Sequence, residues 1–107
     1  MISSQLFRTM ALSFHGSEEM PHFEKTSFRV KKKIFATLDE KNKKAVVKLS
    51  VVDQSAFCAF DPTIIYPVPR GWGKQGWTVI DLTLVTKTTL KDVLTTAYKT
   101  VTAKTKK

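Results

Sequence analysis

The sequence predicts an α+β fold: an antiparallel sheet with N- and C-terminal helices packed on one face and a short helix between strands. Three observations lead there. Both ends of the chain carry apolar residues at helical spacing, residues 26–49 alternate with period two between polar turns, and a capped apolar stretch at 51–60 interrupts the strands.

Taken in order, Ile2, Leu6, Met10 and Phe14 recur every fourth residue, with Phe7 and Ala11 beside them, and Gly16 supplies a stop. This is an amphipathic helix. From Pro21 the period becomes two. Strands over Thr26–Val30 and Ile34–Leu38 flank Lys31-Lys32-Lys33 as a hairpin, and a polar turn over 39–44 leads into a third strand, Ala45–Leu49. Both parities of Ile34–Leu38 are apolar, so alternation leaves its buried face open. Ser50 and Asp53 form a capping box for a short helix running to Phe60, which Asp61-Pro62 ends. Ile64-Ile65-Tyr66 is extended, and Pro67 and Pro69 confine that segment to a sheet edge. Trp77–Leu82 reads as a strand. Thr89 and Asp92 form a second capping box, followed by Leu90, Val93, Leu94, Ala97, Tyr98 and Val101 on one helical face. Residues 103–107 are expected to fray. The 107 residues make one domain, without internal repeat or linker.

Composition restricts function. Cys58 is the only cysteine, so neither a disulfide framework nor a cysteine metal site is available, and a cytoplasmic location is expected. No apolar run approaches the roughly 18 residues that span a membrane, and MISSQLFRTMALSF makes a poor signal peptide. The net charge is +9 and it is unevenly placed. Residues 31–50 carry +5 and residues 70–107 carry +6, whereas 1–30 are neutral and 51–69 are −2. Such clustering points to a polyanion.

Catalytic groups are not assembled by the sequence. His15 and His22 have no partner at metal-ligand spacing, Glu18 and Glu19 point to opposite sides of an extended chain, and Cys58 lies among apolar neighbours. A non-enzymatic protein without cofactor or metal is expected.

Gly71-Trp72-Gly73-Lys74-Gln75-Gly76 has the spacing G-x-G-x-x-G. A dinucleotide loop would need a helix after it, and here Trp77 and the β-branched Thr78-Val79-Ile80 follow. The kinase loop would need valine where Thr78 stands, and the other kinase motifs are absent. The glycines therefore read as a tight connection, accommodating positive φ and close backbone approach, with Arg70, Trp72 and Lys74 at its tip.

The stretches His22–Val30, Lys33–Leu38 and Tyr66–Thr78, above all the W-G-x-x-G-W of residues 72–77, resemble the MmcQ/YjbR family of small bacterial proteins. Thr26 stands where that family's hairpin often has proline, which bears on local rigidity. The resemblance spans nearly the whole chain. It implies a fold similar to CyaY, the bacterial frataxin, and the family's usual description as double-wing DNA-binding proteins. Frataxins handle iron with an acidic ridge, and this basic sequence is the electrostatic opposite, so shared fold does not carry that function over.

Two functions follow as expectations. The first is weak, salt-sensitive binding of duplex DNA with little sequence specificity by a monomer. Lys31, Lys32 and Lys33 with Lys41, Lys43 and Lys44 would supply one cluster, and Arg70, Lys74 and Lys87 the other, with Trp72 free to stack. Only three arginines are available for bidentate reading of guanine. Trp77, at a strand start, is expected in the core. The second is a protein-interaction or small-ligand module, in which the Tyr66–Trp77 loop and the helix at 51–60 wall a pocket.

Overall fold

In the computed structural model, residues 2–22 and 25–103 are described. The elements run α1 (Ser4–Leu12), β1 (Ser17–His22), β2 (Lys25–Val30), β3 (Lys33–Asp39), β4 (Lys44–Lys48), α2 (Val51–Phe60), β5 (Ile65–Pro67), α3 (Gly71–Lys74), β6 (Trp77–Asp81) and α4 (Lys87–Thr102). The expected α+β architecture is present. Six antiparallel strands form one sheet in the order β1-β2-β3-β4-β6-β5.

The first helix is shorter than its apolar stripe. Ser3 caps it by accepting from the Leu6 N–H, and Ser13 closes it before Phe14 and His15. Strand β1 was not foreseen, because Ser-Glu-Glu-Met-Pro-His has neither alternation nor β-branched residues. It forms because the exposed edge of β2 offers a full ladder, from Ser17 opposite Val30 to His22 opposite Lys25. An edge position tolerates Pro21. Arg8 of α1 pins β1 from the helix side, donating to Glu19 at 3.0 Å and also to Glu40. The matched residues Phe23 and Glu24 lie outside the described residues, as does the expected frayed tail beyond Ala103.

A bulge decides which face of β3 is buried. Phe28 pairs with Ala36 but Arg29 with Ile34, so Phe35 is an extra residue on β3. Phe35 and Ala36 therefore both enter the core, while Ile34 and Thr37 face the other way. The core lies between the sheet and helices α1 and α4, around the fully buried Phe7, Phe28, Phe35, Leu38, Leu90 and Leu94. The rings of Phe14 and Tyr98 stack at 4.8 Å, and the Phe35 ring meets both edge-on.

Helix α2 begins as expected, with the Ser50 hydroxyl accepting from the Asp53 N–H. It packs beside β5 on the helix-covered side. Helix α4 starts earlier than the Thr89–Asp92 spacing suggests. Thr86 is its cap, accepting from the Thr89 N–H at 3.2 Å, and Thr89 lies inside the first turn. The opposite face of the sheet carries no helix among the described residues beyond the short α3 at its rim.

Candidate nucleic-acid interface

The glycine loop is a single helical turn wedged against the end of the sheet. Arg70 enters it at φ 69°, and Gly71–Lys74 form α3. Gly73 is buried so tightly that a Cβ would lie 2.3 Å from the Val68 carbonyl oxygen. Gly76, at φ +99°, would put a Cβ 1.8 Å from the Leu49 carbonyl oxygen. Gly71 has neither constraint, so close approach explains two of the three glycines and positive φ only Gly76. Gln54 of α2 fastens the turn from behind. Its buried amide donates to the Gly73 carbonyl (2.9 Å), the Trp77 carbonyl (3.2 Å) and the Thr78 hydroxyl (3.1 Å). What this anchoring presents outward is Trp72, 60% exposed, with Arg70 and Lys74 beside it.

The first lysine turn is a two-residue hairpin between Val30 and Lys33. Lys31 and Lys32 both have positive φ, 53° and 69°, as a type I′ turn requires. The second turn, between β3 and β4, is held by Asp39, which accepts from the Asn42 N–H (3.1 Å) and side-chain amide (2.8 Å). The Asn42 side chain is the main reason that the Asp39 carboxyl titrates below its usual range. Asp81 is likewise lowered, chiefly by the Thr83 hydroxyl that it accepts at 2.6 Å.

The two turns lie at opposite ends of the seven-residue β3, separated by roughly 20 Å of strand. They do not form one cluster. Instead, Lys31–Lys33 share an end of the sheet with α3, because Val30 and Lys33 of the hairpin, Lys48 at the end of β4 and Trp77 at the start of β6 all fall there. The structure thus groups Lys31, Lys32 and Lys33 with Arg70, Trp72 and Lys74, and puts Lys41, Lys43 and Lys44 at the far end. Lys87 belongs to neither group. It opens α4 on the helix-covered side, beside Leu6 and Met10 of α1.

Between the two ends the uncovered sheet face forms a groove of about 410 Å³. Ile34, Thr37 and Val46 make its floor, Val68, Trp72 and Trp77 one wall, and Lys25 the other. Helix α2 does not wall it, because α2 packs on the opposite face. Trp77 is half-buried on this open face rather than in the core, and the Lys48 ammonium stands 5.5 Å from its ring centroid. Lys48 also donates to the Gln75 carbonyl. At the other end the Lys44 ammonium is 5.9 Å from the Tyr66 ring centroid, and the Tyr66 phenol raises its pKa. Among the described residues the only ion pairs within bonding distance are those of Arg8, and the Asp81 and Asp39 carboxylates act on the Lys44 ammonium at longer range.

Sequence reasoning missed Lys25, Lys48, Ile34, Thr37 and Val46 as members of one surface. The period-two pattern Lys44, Val46, Lys48 was available as a signal, but the pairing of β4 with β6 was needed to bring Trp77 opposite Lys48. The described residues contain no group of three or more His, Cys, Asp or Glu placed to hold a metal, and no helix long and apolar enough to cross a membrane.

The family model YjbR matches residues 12–100, most of the sequence and every strand of the sheet. The chain belongs to the YjbR family. A solved relative in fold is the crystal structure of Deinococcus radiodurans protein DR2400, described with a DUF419 domain. It superposes with a TM-score of 0.84 at 22% identity, over 97% of this chain and 81% of that one. At that identity the likeness concerns the fold. No curated protein matches the sequence. In this family member the double-tryptophan loop that carried the resemblance is the wall of the groove.

Proposed function

We propose that this YjbR-family chain is a non-enzymatic nucleic-acid-binding protein of the cytoplasm, acting as a monomer. It holds phosphates with little sequence preference, duplex DNA included. The observation that carries this reading is the grouping of Lys31, Lys32 and Lys33 with Arg70 and Lys74 at one end of the sheet, next to an exposed tryptophan. Lysines on turns act as point charges toward phosphate and release counterions on binding. Affinity is accordingly weak and steeply salt-dependent. A salt titration of duplex binding tests it: log affinity against log salt should fall with a slope of about −0.9 per phosphate contacted, for about three to five contacts. A flat plot, or no binding at low salt, removes the reading.

A protein-interaction role draws support from a different surface than the Tyr66–Trp77 loop. Helix α2 exposes Val51, Val52 (79%) and Phe60 (74%), with Leu84 nearby, and apolar side chains this open are common at contact surfaces.

A further inference from the structure

We infer that the uncovered sheet groove takes the unpaired bases of a single-stranded nucleic acid, stacked against Trp72, while cations at its ends hold the flanking phosphates. This rests on the nucleic-acid reading above and gives the ligand class of the same face. Four features point to it.

The groove has an apolar floor and an aromatic wall, and its volume of about 410 Å³ lies within the range of pockets that enclose small planar ligands. Its aromatic wall is unsatisfied: Trp72 is 60% exposed although the turn that bears it is anchored by Gln54. A rigid anchor under an exposed indole is what a stacking platform requires, because no ordering of the protein then opposes binding. A cation stands at each end of the apolar stretch, Lys48 beside Trp77 and Lys44 beside Tyr66, with Lys25 on the side wall. Lys44 shares its end with Asp39 and Asp81, which leaves Lys48 the cation without a paired carboxylate in register. A single strand offers the complementary alternation of π-faces and phosphates. A paired duplex hides its base faces, so it reaches the lysine turns but not the floor of the groove.

The chain has two tryptophans, and both line this groove, so intrinsic fluorescence reports on it directly. The experiment compares three ligands at matched salt: a short single-stranded oligonucleotide, its duplex, and an abasic strand of equal length with the same phosphates. The wild-type protein should bind the single strand about tenfold or more above the abasic strand, with quenching of its fluorescence, and the duplex should quench little. Trp72→Ala should lower single-strand affinity to the abasic level. Trp72→Phe should restore most of the loss. An unchanged circular dichroism spectrum and melting temperature of Trp72→Ala would show that the fold is kept. Equal affinity for all three ligands, insensitive to Trp72, would overturn the stacking inference and leave phosphate binding standing. Absence of salt-dependent binding to any of the three would overturn both.

Discussion

Four non-glycine residues with positive φ occur among the described ones, Lys31, Lys32, Lys43 and Arg70, and all four are basic. An L-residue pays about 1–2 kcal/mol for the left-handed region, and the two hairpin positions ordinarily go to asparagine and glycine. Lysine in both is unfavourable for the turn and favourable for presenting charge. The double variant Lys31→Asn, Lys32→Gly should therefore stabilise the protein by about 1–2 kcal/mol in urea unfolding. The same variant should reduce the slope of the nucleic-acid salt plot by about 2. A loss of stability, or an unchanged slope, would separate the turn from the binding surface. At this scale the sequence was legible in part. The triple lysine and Arg70 stood out as candidates, but nothing in the chain said that each would take a left-handed backbone, because that follows from the two-residue closure of the hairpin and from the entry into α3.

Elements were legible where periodicity was strong and opaque where pairing decides. Both terminal helices and the β2–β3–β4 meander followed from spacing, and α2 from spacing and its Ser50 cap. Strand β1 did not, since its sequence is polar and only the free edge of β2 makes it a strand. The face of β3 could not be read either, because the bulge at Phe35 puts two consecutive residues on one side. In the loop before β6 the glycines were legible as a tight connection, but their reasons differ one from another. Gly76 needs both its φ of +99° and the absence of a Cβ, whereas a Cβ on Gly71 would meet nothing within 4 Å. Gly76→Ala should cost about 3 kcal/mol or more in chemical denaturation. Gly71→Ala should be neutral or stabilise by up to about 1 kcal/mol through the unfolded chain. Comparable costs for the two would mean that the loop is not wedged against Leu49 as described.

For the whole molecule the question is whether net charge or its placement makes the binding surface. The sequence located two basic segments, and each was expected to form a cluster of its own. The fold divides them. Lys31–Lys33 of the first segment join Arg70 and Lys74 of the second at one end of the sheet, while Lys87, Lys91 and Lys99 are carried on α4 over the other face. Six strands uncovered on one side leave a surface that a compact chain of 12.6 Å radius of gyration could have buried only with another layer of helices. That uncovered side carries both tryptophans and Lys25, and the regrouped cations lie at one end of the sheet. The most direct test reverses equal charge on each face: Lys31, Lys32 and Lys33 to Glu in one variant, and Lys87, Lys91 and Lys99 to Glu in the other, with duplex binding measured at low salt. Both variants change the net charge from +9 by the same amount. The account predicts that the hairpin variant loses binding about a hundredfold or more while the α4 variant keeps its affinity within about tenfold, the residual effect being long-range. Equal loss in both, or greater loss in the α4 variant, would contradict it.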